Sequence, residues 1–193
     1  MDIEEKRKLA SDSNTPPEVL AELAKDEDWE VRREVARNRN TPAEVLVELA
    51  QDKDRRVRLA IAEENYKAPP EALKRLAQDK RGWKIRYGVA CHHNTLPETL
   101  AKLAKDKVWK VRYIVAGNKN TPPGSLADLA EDEEWRVRIN VAENPNTELE
   151  VLANLSKDKE WIVRYYLVNN PNIPAKLLVE LAHDKEWIVR YIV

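Results

Sequence analysis

Residues 14–39, Asn14-TPPEVLAELAKDEDWEVRREVARN-Arg39, form a block of 26 residues that recurs down nearly the whole chain, restarting at Asn40, Asn65, Asn94, Asn120, Asn146 and Asn172. Self-similarity at this period marks a repeat architecture in which each unit contacts only its neighbours. The product is an extended surface and not a globule around one pocket. The repeat leaves no room for a second core, so residues 1–193 read as a single repeat domain. Residues 7–13 match the end of a second helix, with Leu9 and Ala10 in the places of Val35 and Ala36. Residues 1–13 are therefore a partial unit, and the last unit, from Asn172, is expected to be truncated.

Each unit reads as two short helices. The first opens on Thr15, Pro16, Pro17 and Glu18, which reads as a Thr N-cap, a proline in the first turn and a Glu closing a capping box. Thr41 to Glu44, Thr95 to Glu98 and Thr147 to Glu150 repeat the device; Gly124, Lys176 and Ala68 interrupt it. Leu20, Leu23 and Ala24 then share one helical face, as do Leu46, Leu49 and Ala50. The second helix starts near Trp29, turns Val31, Val35 and Ala36 inward, and stops at Asn38 to Asn40, before the next proline. The third unit is longer at Asn65 to Ala68 and around Gly82, which predicts a local bulge.

These segments, TPPEVLAELA and VRREVARN above all, resemble the variant leucine-rich repeat family, and DEDWEVR is more distantly similar to HEAT repeats. The resemblance covers residues 7–193. It implies an all-α fold without sheet: a right-handed α-solenoid of about seven two-helix repeats, alternating α-helices with shorter, partly 3₁₀ ones. A member of that family joins its repeats to an iron–sulfur cluster held by cysteines. With Cys91 alone this chain cannot build one, and no cofactor is expected.

Composition bounds the function. There are 33 basic and 34 acidic side chains, so no bulk field favours nucleic acid or an anionic membrane. One cysteine makes no intrachain disulfide, no apolar run approaches the ~20 residues of a membrane span, and the opening MDIEEKRKLASDS lacks a signal peptide's apolar stretch. A reducing cytoplasm is the expected location. The absence of Phe and a charged fraction of 35% describe a charge-laced helical chain, a bias that concerns stability and not activity.

Polar residues recur with the period. An Asp precedes an Arg by six residues in Asp26/Arg32, Asp52/Arg58, Asp106/Arg112, Asp132/Arg138, Asp158/Arg164 and Asp184/Arg190, and by one more in Asp79/Arg86. A catalytic group is needed once, and these occur in every unit. They read as a structural ladder of aspartates accepting from helix N-termini and from arginines of the same or the next unit. Asn14, Asn40, Asn94, Asn120, Asn146 and Asn172 read as a turn ladder. Trp29, Trp83, Trp109, Trp135, Trp161 and Trp187 form a column that Arg55 breaks. A site that accepts a charge is not deep core, so the column reads as a partly exposed edge stapling neighbouring helices.

The opposite face of the second helix varies most. Unit one shows Glu30, Arg33, Glu34 and Arg37, whereas units three and four show Lys84, Tyr87, Gly88, Cys91 and Lys110, Tyr113, Ile114, Gly117. Units six and seven show Ile162, Tyr165, Tyr166, Asn169 and Ile188, Tyr191, Ile192. An exposed strip of Tyr87, Tyr113, Ile114, Ile162, Tyr165, Tyr166, Ile188, Tyr191 and Ile192 reads as a contact surface. Its candidate occupants are a protein or peptide, a second copy of the chain through the apolar C-terminal face, or further repeats of a longer parent.

Some HEAT-like solenoids are DNA glycosylases with a basic groove, and Arg56, Lys84, Lys110 and Arg136 form a column beside Tyr87 and Tyr113. Four charges are a small footprint with Glu63 and Glu143 nearby, so the balance is against nucleic acid and against catalysis. His92 and His93 beside Cys91 lack zinc-site spacing, and no metal is expected; His183 stands apart. No phosphate loop, nucleophile elbow or metalloprotease motif occurs. The expectation is a non-enzymatic scaffold for a protein or peptide partner.

Overall fold

Proline stands at the start of most first helices of this chain, and an acidic residue at the start of most second ones. A computed structural model describes residues 1–80 and 82–193, and among them it holds fifteen α-helices and no strand. They fall in two compact units, Met1–Leu96 and Pro97–Val193. The first contains α1 (Ile3–Ser11), α2 (Pro17–Leu23), α3 (Trp29–Arg37), α4 (Ala43–Leu49), α5 (Arg55–Glu63), α6 (Pro70–Leu76) and α7 (Trp83–Cys91). The second contains α8 (Pro97–Leu103), α9 (Trp109–Gly117), α10 (Pro123–Leu129), α11 (Trp135–Glu143), α12 (Leu149–Leu155), α13 (Trp161–Leu167), α14 (Ala175–Leu181) and α15 (Trp187–Ile192).

In each unit the second helix of one repeat packs on that of the next: α1, α3, α5 and α7 in the first, α9, α11, α13 and α15 in the second. This is the α-solenoid the period implies. Leu20, Leu46, Leu73, Leu100, Leu126 and Leu152 from the first helices are buried, as are Val31, Val57, Ile85, Val111, Val137 and Val163 from the second. A small residue at Ala36, Ala62, Ala90, Ala116 and Ala142 lets adjacent second helices approach closely. The described helices are all α-helical and do not alternate with 3₁₀ ones; three-residue bonds such as Val19 N–H to Pro16 O and Ser125 N–H to Pro122 O, at 3.1 and 2.9 Å, close only single turns at helix starts.

The threonines do not cap the helices that follow them. α2 has Pro16 at its N-cap and no side-chain cap bond. Thr15 Oγ1 instead donates back to Leu9 O at 2.5 Å, and Thr41, Thr95, Thr121 and Thr147 donate to Val35, Val89, Val115 and Val141 O at 2.5–2.6 Å. The physical reason is supply and demand at the turn. Proline removes the helix-start N–H groups a cap would serve, while the preceding helix ends with orphan carbonyls that need donors. The glutamates of the expected capping boxes, Glu18, Glu44, Glu98 and Glu150, lie exposed in first turns. There they complement the helix dipole only. Side-chain caps start some of the second helices: Asp28 accepts from Glu30 N–H at 2.7 Å and Asp54 from Arg56 N–H at 2.8 Å, whereas α9, α13 and α15 begin without one.

The third repeat absorbs its extra residues in two places. At the end of α5, Asn65 N–H bonds Ala60 O at 3.1 Å, five residues back, a widened turn that accommodates one insertion. Asn65 consequently occupies the position of Asn38, and Lys67 that of Asn40, because Asn65 Nδ2 donates to Ala36 O as Asn38 Nδ2 does to Ala10 O. The unit that the sequence pattern opened at Asn65 therefore opens at Lys67. The second insertion precedes α7, where Gly82 N–H donates to Asp79 Oδ1 at 2.6 Å.

Gly88 does not face solvent, contrary to its place in the variable set. It is buried, and a Cβ there would stand 2.9 Å from Ala62 O, so α7 meets α5 backbone to backbone. Gly88→Ala is expected to cost about 1–3 kcal/mol, because the obstacle is main chain and not the tip of a flexible side chain. Urea denaturation measures this directly.

Candidate functional site

The recurring Asp and Arg side chains meet across repeats. Arg32 Nε and Nη2 fork onto Asp52 at 2.6 and 3.0 Å, twenty residues on, while Nη1 donates to the carbonyl of Asp26 at 2.7 Å. Arg138 and Arg164 repeat this on Asp158 and Asp184, with Nε at 2.6 Å in both, and Arg112 engages Asp132. Arg58 reaches Asp79 at 2.9 Å, and Lys6 takes the arginine's role at Asp26, at 2.7 Å. The six-residue spacing thus serves the aspartate's main-chain carbonyl, and the carboxylate partner comes from the next repeat. The carboxylates also accept the N–H two residues on, as Asp52 does from Asp54 at 2.7 Å and Asp106 from Val108 at 2.8 Å, except Asp79, whose partner Gly82 lies three residues on. Arg86 gives Nη1 to Asp79 O at 2.6 Å, and the exposed Arg190 gives Nη1 to Asp184 O at 2.6 Å.

These groups have the chemistry of a staple. The hydrogen bond from Arg164 holds the Asp184 carboxyl below its ordinary range against the opposing effect of burial, and each buried arginine is held in its charged form by its carboxylate. A carboxylate so held is a poor proton acceptor near neutrality.

A second ladder lies deeper. Asn38, Asn65, Asn144 and Asn170 are buried, and each sends Nδ2 to two carbonyls of the previous repeat. Asn144 reaches Ala116 O at 2.7 Å and Asn118 O at 3.1 Å, and Asn170 reaches Ala142 O and Asn144 O at 2.6 and 2.9 Å. The same amides accept, through Oδ1, the N–H two residues on, in Asn40, Lys67, Asn146 and Asn172. The turn asparagines read from the sequence lie outside this row: Asn146 Nδ2 reaches Lys119 O from an exposed position at 2.5 Å. The signal for the deeper row was a recurring Asn directly after the Val-Ala-x segment of each second helix, as in Asn38, Asn118 and Asn144.

His92 fills this slot in the third repeat, with Nε2 facing Asn65 O at 3.0 Å and Nδ1 accepting from Asn94 N–H at 3.2 Å. That pattern requires the neutral ring. Burial pushes its pKa down, opposed by the bond to Asn65 and aided by the stacked His93. A folded pKa below the unfolded value means that the unfolded chain binds the proton first. His92 therefore costs stability as pH falls below the ordinary histidine value of about 6.5. His92→Asn is expected to fold normally and to lose this part of the decline between pH 7.5 and 5, measured as the difference in urea midpoints between the two proteins.

The tryptophan column is half-buried from Trp29 to Trp135, and exposed at Trp161 and Trp187. Its basic neighbours are engaged. The Arg56 guanidinium lies 3.3 Å from the Trp29 ring centroid and pairs with Asp54 at 2.8 Å, holding that carboxyl at about 2. Arg136 lies over Trp135 at 4.3 Å and pairs with Glu134 at 2.8 Å. Both are arranged for packing more than for phosphate.

The aromatic strip is mostly half-buried: Tyr87, Tyr113, Ile114, Ile162, Tyr165, Tyr166 and Ile188 share their surface with neighbours, while Ile192 and Tyr191 are exposed, Tyr191 at 84%. Tyr87 meets Trp83, Tyr113 meets Trp109 and Tyr165 meets Trp161 edge to face at 6.3–6.4 Å, and Tyr165 meets Tyr166 at 5.4 Å. Each ring is held in place by another, with part of it open to solvent.

The repeat geometry has known counterparts. The sequence profile of the leucine rich repeat variant family matches residues 29–54. A solved structure described as a leucine-rich repeat variant with a novel repetitive protein structural motif aligns with 92% of this chain and 70% of its own, at 33% identity and a TM-score of 0.68. The chain belongs to the leucine-rich repeat variant family. An engineered protein is 18% identical over 97% of this chain and 71% of its own, with a TM-score of 0.42. An archaeal HEAT-like repeats protein from Thermococcus onnurineus NA1 is 12% identical over 100% and 94%, with a TM-score of 0.37. No curated protein matches. Among the described residues no helix is long and apolar enough to cross a membrane.

Proposed function

We propose that this leucine-rich repeat variant is a non-enzymatic scaffold that binds a protein or peptide segment on its second helices. The observation that carries the reading is the set of ring-on-ring contacts in the second unit, Trp109 with Tyr113, Trp161 with Tyr165 and Tyr165 with Tyr166, whose tyrosines stay partly open to solvent. Aromatic side chains already fixed lose little conformational freedom on contact, and such residues dominate binding energy at interfaces. The repeated Asp, Arg and Asn groups are engaged in holding repeats together, which supports a scaffold over a catalyst. A reducing compartment such as the cytoplasm suits the free thiol of Cys91.

The test is selection of peptides from a random display library against the full chain, with tryptophan fluorescence as the readout. Selected peptides are expected to be rich in apolar residues and to lose at least about tenfold in affinity when Tyr113 and Tyr165 are both changed to lysine, about 1.4 kcal/mol. Three results would overturn the proposal: no selected binder, binders indifferent to both tyrosines, or tight salt-sensitive binding of duplex DNA in their place.

A further inference from the structure

The inserted residues of the third repeat bring aromatic rings, carboxylates and open space together in the first unit. A cleft of about 400 Å³ opens between α5 and α7, lined by Glu63, Glu64, Tyr66, Tyr87, Cys91 and His93. It exists because Gly88 contributes no side chain and because the widened turn after Ala60 carries Tyr66 outward, where 47% of it is exposed. Trp83 holds the Tyr87 ring edge-on from the other side.

The charges of the cleft are unequal in their commitments. Glu64 is taken by Arg37 at 2.6 Å and Arg33 at 3.5 Å, and Arg39 lies over the Tyr66 ring at 4.9 Å. None of these three arginines lines the cleft. Glu63 is exposed and makes no ion pair among the described residues. Burial pushes the neighbouring Cys91 thiol up, opposed by its hydrogen bond with Tyr87 and aided by the field of Glu63. At the corresponding place in the second unit Glu143 accepts a hydrogen bond from Asn169 at 3.0 Å. Glu63 has Cys91 there instead, a weak donor that already shares a hydrogen bond with Tyr87.

We infer that this cleft takes the side chain of a lysine or arginine from a peptide laid across α5 and α7, an assignment that rests on the peptide-binding reading and adds to it the charge of one contact residue. The aliphatic stem of such a residue fits between Tyr66, Tyr87 and the bare backbone at Gly88. Its cationic head meets tyrosine faces and the carboxylate of Glu63, the combination that favours a cation over a neutral group of equal size.

The experiment titrates the isotope-labelled full chain with Nα-acetyl-lysine methylamide, and separately with Nα-acetyl-norleucine methylamide, which has the stem without the ammonium. Saturable amide shifts are expected within residues 62–66 and 87–93, with the lysine probe at least about tenfold tighter than norleucine. Glu63→Gln, a change at an exposed helix end that leaves the fold intact, should bring the lysine probe to the norleucine level. Absence of saturable shifts there, equal binding of both probes, or undiminished binding to Glu63→Gln overturns the assignment. Peptides that bind at Tyr113 and Tyr165 while the lysine probe leaves the cleft untouched would remove the cleft assignment alone. Lysine-specific shifts in the cleft without any selected peptide would keep the cation site and remove the scaffold reading.

Discussion

Asp158→Ala is expected to destabilise the chain by about 3–5 kcal/mol, the cost of stranding a charge that its fold has taken out of water. Arg138 is only 5% exposed, and its Nε and Nη2 donate to Asp158 at 2.6 and 2.9 Å. Without that carboxylate the guanidinium keeps the Asp132 carbonyl at 2.7 Å and the Glu133 carbonyl at 3.4 Å, dipoles where an anion stood. The same deletion removes the acceptor for Glu160 N–H at the turn into α13. Urea denaturation followed by circular dichroism reads the loss as a lower midpoint. Two controls separate a buried staple from a surface pair. Arg190→Ala, at an exposed arginine that bonds main-chain carbonyls, should cost less than about 1 kcal/mol. Arg138→Met combined with Asp158→Leu should recover much of the stability, since an apolar pair of similar volume leaves nothing unsatisfied. A loss below about 1 kcal/mol in Asp158→Ala would mean that the ladder is decoration.

Asn144→Ala should cost about 3 kcal/mol or more, and Asn146→Ala, two residues away, less than about 1 kcal/mol. The contrast follows from what each amide serves. Asn144 is 2% exposed; it supplies a donor to Ala116 O and Asn118 O, both at the end of the preceding second helix, and an acceptor to Asn146 N–H. Alanine leaves Ala116 O and Asn146 N–H without their partner, a loss of about 1–3 kcal/mol for a buried group of this kind, and Asn118 O with only the Thr121 N–H at 3.0 Å. Asn146 makes its bond to Lys119 O at an exposed turn, where water can replace it. Urea midpoints of the two variants, measured side by side, give the ranking; equal costs would show that the deeper row carries no more than the outer one.

The 26-residue period, the placement of both helices and the identity of the core positions were legible because hydrophobic spacing and proline punctuation are local properties. The strip tyrosines were legible as a set, but their half-burial was not, since it depends on Trp83, Trp109 and Trp161 standing edge-on beside them. Thr15 and its equivalents satisfied a familiar capping pattern and yet donate backward, because a cap motif in sequence does not reveal which carbonyl lies within reach. The linear pattern does not separate the turn asparagines at 40 and 146 from the buried ones at 38 and 144, since two neighbouring amides look alike until depth separates them.

By itself, the sequence determined that this protein is a stack of helical hairpins and that its Asp, Arg and Asn residues recur with the repeat. Only the tertiary structure decided which repeat each arginine answers, that Asn65 and not Lys67 enters the inner row, and that Gly88 is a floor and not a surface. The reason is that a hydrogen bond between residues twenty or twenty-eight apart is chosen by how one helix pair lies on the next, a distance in space that no local spacing encodes.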